Sequence, residues 1–315
     1  MVRFVTARLQ SLLLAIVAAA AAADVAWASA QHFDIDARAY GLLALLSLAL
    51  AGGGLFYDRI RKDERLAAML LGTSFLIAMS ASFSVLNYLL LTVAGARIDA
   101  PLATLDRALG VDWPALMAFV AHYPRANMVL QLIYVSVLPQ IAVLILALGF
   151  LGRPDQIYRL CLSVAAGAAV AIAVWAVAPS FGAFSVYDLP ANVSSHLALA
   201  LDGRYAHQLV GLLANGPGRI APGAAKGLIG FPSYHAVLAL LVVWYARPLP
   251  VLRWLALGID AVVLVATPIQ GGHHVVDVLA GFAVAALAVW FAAAAARFAA
   301  RARGQIALDA QPQSL

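Results

Sequence analysis

The uncharged segment 66–96, LAAMLLGTSFLIAMSASFSVLNYLLLTVAGA, decides the fold class of this chain. It lies between Arg65 and Arg97 and is longer than the about 20 residues that a helix needs to cross the hydrocarbon core of a bilayer. Among single segments surrounded by lipid, only a helix satisfies all of its own backbone hydrogen bonds. The segment therefore predicts a transmembrane helix.

The rest of the 315-residue chain repeats this pattern. Of all residues, 64% are apolar and 11% are charged, whereas ordinary soluble domains have about 45–50% and about 25%. Further transmembrane helices are expected in the windows Leu9–Ala28, Ala39–Tyr57, Ala126–Gly152, Leu160–Tyr187, Gly227–Ala246, Trp254–Gln270 and Val278–Ala296. The sequence thus predicts an all-α membrane bundle of about eight transmembrane helices.

The first window has a second interpretation. Arg3 and Arg8 precede an apolar run that ends in Ala28-Ser29-Ala30, which is also the pattern of a secretory signal peptide. We favour a retained first helix, because proteins with many spans commonly begin in this way. Cleavage of the segment remains the alternative.

The distribution of positive charge predicts the orientation of the bundle. With the N-terminus inside, 13 of the 20 Lys and Arg residues fall on the inner side and seven on the outer side. Because cytoplasmic loops carry the excess of Lys and Arg, we expect both termini in the cytoplasm, as in a bacterial plasma (inner) membrane. The net charge of +5 mostly reflects these Lys and Arg residues on the inner side. Such residues favour contact with anionic lipid. No stacking motif or long basic stripe indicates a nucleic-acid partner.

The windows divide the chain into three parts. Residues 1–95 form N-terminal transmembrane helices, residues 96–303 form a transmembrane catalytic domain, and residues 304–315 form a polar tail. Two short helices are expected at the membrane interface at about residues 100–122. Asp112 and Pro114 suit the start of the second, because Asp caps helices and Pro fits the first turn. The segment from Asp188 to Lys226 is expected to be a loop that leads into the next span.

Two short segments in the C-terminal third carry the residues best suited to chemistry. Residues Gly230–Ala236 read GFPSYHA and residues Gly271–Gly281 read GGHHVVDVLAG. Thirty-eight positions separate His235 from His273, which is enough for one helix to descend and the next to return. The two segments are therefore expected to meet at one face of the membrane, the outer face in this topology.

The chemistry of the two segments is coherent. Pro232 suits the first turn of a helix, and two converging helix N-termini would offer free N–H groups to an anion. His273 and Asp277 are four residues apart and would share one helical face, where the carboxylate would orient the imidazole and raise its basicity. His274 lies three residues from Asp277, so spacing alone does not choose between the two histidines. His235 from the other helix is placed to protonate a leaving alkoxide.

These residues resemble the type-2 phosphatidic acid phosphatase superfamily, which also includes vanadium haloperoxidases. The resemblance rests on Pro232-Ser233-Tyr234-His235 and on His273-His274-Val275-Val276-Asp277. It is closest to the branch of inositol phosphorylceramide synthases, in which a Phe-Pro-Ser-x-His and a Gly-x-His-x-x-x-Asp segment recur. The resemblance implies that His273 is a nucleophile that forms a phosphohistidine and that Asp277 orients it. It also implies that His235 is the general acid and that Ser233 binds phosphate. Gly272 is a further candidate for phosphate binding.

The sequence departs from the superfamily pattern at its cations. The superfamily has an early Lys-x6-Arg-Pro segment and an Arg six residues before the nucleophilic His. Here Thr267 occupies the second position, and Pro179-Ser180-Phe181-Gly182 lies where the first is expected. Arg219 and Lys226, just before the first motif, are the candidates to supply the missing phosphate-binding charge, and Arg125 is the next.

The sequence therefore favours a membrane enzyme that transfers a phosphoryl or phospho-headgroup from a lipid phosphate or phospholipid to His273, and then to water or to an acceptor hydroxyl. A non-catalytic carrier or scaffold that binds a lipid headgroup is the alternative. Two histidines and a carboxylate could also hold a metal. Because the phosphohistidine route needs none, no metal and no cofactor are expected. The one cysteine, Cys161, excludes an intrachain disulfide.

Overall fold

A computed structural model of the chain describes residues 2–216, 218–224 and 227–309. It is 79% helical. The helices are α1 (Val2–Gln31), α2 (Ala37–Phe56), α3 (Glu64–Leu89), α4 (Asp99–Ala108), α5 (Trp113–Ala121), α6 (Pro124–Val135), α7 (Val137–Phe150), α8 (Pro154–Val177), α9 (Ala191–Ser194), α10 (Gly203–Asn215), α11 (Tyr234–Ala246), α12 (Leu252–Gln270) and α13 (Val275–Asp309). The predicted all-α membrane bundle is thereby confirmed.

The long apolar helices account for most of the predicted spans. Within the described residues, six helices are long and apolar enough to cross a membrane: α1, α2, α3, α8, α12 and α13. A seventh span results if α6 and α7 are counted together, although they meet at an angle of 47°. These helices make the protein an integral membrane protein.

The remaining predicted window, Gly227–Ala246, forms a shorter helix than expected. Helix α11 has 13 residues and begins only at Tyr234, and residues 227–233 before it are not helical. The apolar character of Gly227–Phe231 reflects packing inside the protein rather than a longer helix. Leu228, for example, has no exposed surface.

The core of the bundle lies between α1, α3, α7, α8, α11 and α13. Small residues let these helices approach closely, as is common where van der Waals packing drives association in lipid. A side chain at Gly72 would meet Ile157 of α8, and one at Gly167 would meet Val237 of α11. Helix α1 contributes Leu9 and other buried apolar side chains to this core.

The two short interfacial helices are present as α4 and α5. Asp112 caps α5 through the N–H of Ala115, and Pro114 lies in the first turn as expected. The burial of α4 has a simple pattern. Its face with Asp99 and Asp106 is buried, whereas Leu105 and Leu109 are more than half exposed. The polar face of α4 is thus directed into the protein.

The segment from Asp188 to Lys226 contains more structure than the predicted loop. Helix α10 begins after Asp202, whose side chain accepts a hydrogen bond from the N–H of Tyr205. Tyr205 and Leu209 pack in a second apolar cluster with Trp175 and other residues. The prediction of a loop was wrong for residues 203–215, because this buried stripe at helical spacing stabilises a helix.

Two short strands join the N-terminal helices to the segment before α11. Strand β1 (Asp34–Ile35) pairs in parallel with β2 (Arg219–Ile220). The N–H of Asp36 also donates to the carbonyl of Ile220. The connection between α1 and α2 is therefore attached to the chain that leads to the first motif.

The start of the C-terminal tail is part of a helix. Helix α13 runs through Asp309, so residues 304–309 of the predicted polar tail are helical. Residues 310–315 lie outside the described residues.

Candidate active site

The two motif segments meet at the starts of α11 and α13. Ser233 Oγ lies 3.4 Å from His273 Nε2, and the N–H of Ser233 donates to the carbonyl of Asp277. Gly281 permits this approach, since a Cβ at that position would lie 2.8 Å from the Cβ of Ala236. The close contact of α13 with α11 therefore brings the serine and the histidine together.

His273 and Asp277 form the pair that their spacing suggested. His273 Nδ1 lies 2.9 Å from the carbonyl oxygen of Gly230 and 3.3 Å from Asp277 Oδ2. Both neighbours are acceptors, so the proton of a neutral His273 belongs on Nδ1. Nε2 is then left unprotonated on the side of Ser233. One expectation was wrong: α13 begins at Val275, so His273 precedes the helix instead of sharing its face.

Ser233 is the N-cap of α11. Its Oγ accepts a hydrogen bond from the N–H of Ala236, and the same oxygen lies next to His273. Pro232 therefore stands before the cap and not in the first helical turn, which corrects the expectation for that residue. Within the described part of the chain, the N–H groups of Tyr234 and His235 have no hydrogen-bond acceptor. They are available to an anion beside Ser233.

The start of α13 is occupied by a side chain of the protein. Asp106 of α4 accepts hydrogen bonds from the N–H of Val275 at 2.8 Å and of Val276 at 3.0 Å. A carboxylate at this position also interacts favourably with the helix dipole. The expectation that both helix N-termini would offer free N–H groups to phosphate was therefore wrong for α13. In that helix Asp106 already takes the place of the anion.

His274 has surroundings that differ from those of His273. It has no exposed surface, its N–H donates to Asp277 Oδ2 at 2.8 Å, and its Nδ1 lies 3.5 Å from Asp106 Oδ2. It therefore lies among the groups that hold α4 against α13. The imidazoles of the two adjacent histidines thus face different groups. Their spacing from Asp277 alone could not show this difference.

Tyr134 is a site residue that the sequence did not reveal. Its ring stacks on the imidazole of His235 at 4.2 Å between centroids, and its hydroxyl lies 3.2 Å from His235 Nδ1. Tyr134 is on α6, 101 residues before His235, in an apolar window that gives no reason to single it out. Only the folded structure brings the two rings together.

A second connection lies behind Gly272. The carbonyl of Gly272 accepts a hydrogen bond from the N–H of Ala183, and the carbonyl of Ser180 accepts one from Gly230. Asp99 holds this 180–183 segment, because its Oδ1 accepts hydrogen bonds from Ser180 Oγ and from the N–H groups of Phe181 and Gly182. Residues 180–183, which contact both motif segments, are thus held in place by a carboxylate of α4.

The cations nominated for the phosphate have different positions. Arg219 Nη2 lies 3.3 Å from Asp36 Oδ1, and Nε lies 3.9 Å from Asp34. Together with the N–H of Ala39, which has the larger effect, Arg219 holds the pKa of Asp36 below its usual value. Arg125 is exposed at the start of α6. Lys226 lies outside the described residues, so its role stays a prediction.

Two other polar positions are engaged elsewhere. Thr267, at the position of the superfamily arginine, donates its hydroxyl proton to the carbonyl of Val263 within α12. Arg97, beside α4, pairs with Asp99 at 2.7 Å and stacks over Phe181. Arg97 thus contacts the 180–183 segment, which in turn meets Gly272.

Gly272 supplies the first testable prediction. Its φ is +60°, and a Cβ would collide with the ring of Phe184. We expect Gly272→Ala to destabilise the protein by about 2–5 kcal/mol, because left-handed backbone strain and overpacking add together. Gly110→Ala is the matched control, since Gly110 has φ +81° with nothing within 4 Å of a Cβ. Thermal unfolding in detergent should show a clearly larger loss for Gly272→Ala, and equal losses would contradict the contact with Phe184.

Comparison with known families gave one match. The family model described as the PAP2 superfamily matches residues 100–291, which include all of α4 after Asp99, Tyr134 and both motif segments. No curated protein and no solved structure matched the chain.

Proposed function

Because the chain belongs to the PAP2 superfamily, whose members are generally phosphatases or phosphotransferases, we propose that it transfers a phosphoryl or phospho-headgroup from a lipid through a phosphohistidine on His273. The site residues are His273 as the nucleophile, Asp277 as its orienting carboxylate, and His235 as the general acid. Ser233 binds a phosphate oxygen, as does the backbone at Gly272. We also propose that the chain is most similar to the branch of inositol phosphorylceramide synthases within this superfamily.

The observation that carries the proposal is the set of groups that face the two ring nitrogens of His273. The carbonyl of Gly230 and the carboxylate of Asp277 both face Nδ1, and Nε2 faces Ser233. An imidazole with its proton fixed on Nδ1 presents an unprotonated Nε2 as the nucleophile. A histidine in a purely structural role has no need of this arrangement beside a helix N-cap.

The reaction then has two balanced steps. In the first, His273 Nε2 forms a bond to phosphorus while the bond to the leaving oxygen breaks, and His235 gives that oxygen a proton. In the second, water or a hydroxyl group attacks phosphorus, His235 takes up its proton, and the bond to His273 breaks. Water as acceptor gives a phosphatase, and a lipid or sugar hydroxyl gives a transferase.

Negative charge on the transferring group requires stabilisation. The free N–H groups at the start of α11 and the hydroxyl of Ser233 supply neutral donors, and fixed donors of this kind stabilise developing negative charge. Lys226 and Arg219 remain the proposed cations. For Arg219, this role requires that its guanidinium leave Asp36 when substrate binds.

A direct test uses purified protein in detergent. Turnover of dioctanoyl phosphatidic acid and of dioctanoyl phosphatidylinositol should be measured, the latter with and without a lipid alcohol as acceptor. We expect release or transfer of the headgroup together with an acid-labile, base-stable phosphoprotein. Saturable lipid binding without turnover and without a phosphoprotein would favour the carrier or scaffold instead.

The face of action is the second testable prediction. We propose that Ser233, His235 and His273 lie near the outer surface, because the charge bias puts the loop before α11 outside. In a Cys161→Ala background, a membrane-impermeant maleimide should label Asn192→Cys in intact cells and should not label Arg61→Cys. Both positions are exposed in the structure. Labelling of Arg61→Cys alone would reverse the orientation.

A further inference from the structure

An open groove runs between α11 and α13 on the outside of the bundle. Its volume is about 520 Å³, within the range of sites that bind small ligands. Leu240 and Phe282 line the end nearer the starts of the two helices, and Arg247 and Ala293 line the other end. The remaining lining residues are all apolar or aromatic: Val243, Trp244, Ala285, Ala286, Val289 and Trp290.

A direct contact of the two helices separates this groove from the candidate active site. A Cβ at Gly281 would lie 2.8 Å from the Cβ of Ala236 and 2.9 Å from the carbonyl oxygen of Ser233. Along both helices this contact comes before the groove, since Ala236 precedes Leu240 and Gly281 precedes Phe282. A molecule bound in the groove is therefore not the group on which His273 would act.

The charged end of the groove lies toward the membrane face opposite the site. Helix α13 begins next to His273, and its residues through Ala302 are long and apolar enough to cross a membrane. Helix α11 also begins at the site, and Arg247 follows Ser233 by 14 positions (247 minus 233), or about 21 Å of helix. Arg247 is thus directed to the headgroups of the opposite leaflet.

Two arginines are found at this end of the groove. The guanidinium carbon of Arg247 lies 3.2 Å from the ring centroid of Trp244, and its Nε donates to the carbonyl of Trp244. Arg297 is exposed on α13 four residues after Ala293, so it continues the same face of that helix. Neither arginine forms a salt bridge with a carboxylate of the described residues. Their charges are therefore free to bind an anion.

The position of the charge determines which lipid fits the groove. An acyl chain that descended from the active site would place its methyl end against Arg247, and the contact of Gly281 with Ala236 lies in its way. A phospholipid of the opposite leaflet has the reverse polarity. Its phosphate meets the arginines and its chain follows the apolar lining, and both contacts favour binding.

We propose that the groove between α11 and α13 binds an acyl chain of an anionic phospholipid from the leaflet opposite the active site, with Arg247 and Arg297 binding its phosphate. Because this lipid contacts both helices, it stabilises the packing that brings Ser233 to His273. The proposal goes beyond the proposed function and does not depend on it, since the lipid in the groove is bound and not turned over.

Quenching by brominated lipid is the third testable prediction. Bromine on an acyl chain quenches the fluorescence of a nearby indole, and Trp244 and Trp290 line the groove. In phosphatidylcholine vesicles, we expect brominated phosphatidylglycerol to quench the protein at a lower mole fraction than brominated phosphatidylcholine. An arginine near an anionic headgroup strengthens binding by about 5-fold. Arg247→Gln should therefore lower the preference for phosphatidylglycerol by about 5-fold.

The matched control is Arg253→Gln. Arg253 also stacks on an exposed indole, that of Trp254 at 5.0 Å, but it is not among the residues that line the groove. Its replacement should leave the preference unchanged. Equal losses in Arg247→Gln and Arg253→Gln would show a general attraction of anionic lipid to basic residues and would overturn the proposal. Equal quenching by the two lipids in the wild type would overturn it as well.

A second pair of variants tests the groove itself. Ala286→Phe places a ring in the groove, whereas Ala283→Phe places the same ring at an exposed position of α13 outside it. We expect the preference to be lost in Ala286→Phe and kept in Ala283→Phe. An unchanged preference in both variants would place the lipid elsewhere. A dimer in the vesicles that only Ala286→Phe separates would show that a second copy of the chain occupies the groove, and either result would overturn the proposal.

Discussion

His273→Ala should abolish turnover of lipid phosphate, with a loss of at least about 10⁴-fold, because in the proposed mechanism it removes the atom that bonds to phosphorus. Removal of a nucleophile from other covalent catalysts has effects of this order or larger. The acid-labile phosphoprotein should vanish as well. Folding should survive, since His273 lies before α13 and the first turn of that helix is held by Asp106. Turnover and ³²P incorporation, with unfolding temperature as a check on the fold, measure both effects.

His274→Ala is the matched control for this experiment. It removes an imidazole that is one residue away and equally buried, but whose nearest charged group is Asp106. We expect some loss of thermal stability and substantial remaining activity, because the pair of His273 and Asp277 stays intact. An inactive His274→Ala protein together with an active His273→Ala protein would show that the nucleophile has been assigned to the wrong histidine.

Asp277→Asn should lower kcat by about 10³- to 10⁴-fold and change KM little. The amide can donate a hydrogen bond to Nδ1 and so favour a proton on Nε2, the nitrogen that must attack; the wrong tautomer costs about 10⁴-fold in serine proteases. Asp277 does not touch the substrate in the proposed mechanism, so binding should be spared. The phosphoprotein should form slowly instead of disappearing.

The control for Asp277→Asn is Asp24→Asn. Asp24 is a buried carboxylate of α1 whose Oδ2 accepts a hydrogen bond from Ser82, and asparagine can preserve that bond. We expect nearly wild-type kcat from this variant. If Asp277→Asn retained full kcat, the orientation of His273 would have to come from the carbonyl of Gly230 alone.

The transmembrane helices were largely predictable because long uncharged windows have few alternatives in a chain of this composition. The exceptions have physical reasons. Hydropathy cannot distinguish an apolar helix from an apolar loop packed inside the protein, so the window Gly227–Ala246 predicted too long a helix. Hydropathy also gives no sign of the break between α6 and α7 at Ser136. In contrast, α10 could have been predicted, since Asp202 and the spacing of Tyr205, Leu209 and Leu212 are visible in the sequence.

The candidate site was predictable only in part. Ser233, His235, His273 and Asp277 lie in two local motifs, and the structure brings Ser233, His273 and Asp277 into contact. The contributions of α4 depend on contacts over many residues, such as the 169 positions between Asp106 and Val275. One signal was nevertheless present. Asp99 and Asp106 are seven residues apart, which is about two helical turns, so they share a face that is turned away from Leu105.

The pairing of β1 with β2 connects the N-terminal helices to the part of the chain that carries the two motifs. The sequence suggests that a catalytic domain begins near residue 96, as if it could be expressed or exchanged on its own. A fragment cut there would lose the strand partner of Arg219 and Ile220, and with it the anchor of the chain leading to Ser233. It would also lose Leu9 and its neighbours from the core shared with α8 and α13. In this structure the N-terminal helices therefore pack together with the segments that carry the two motifs, and a transplant of the motifs alone would leave these contacts behind.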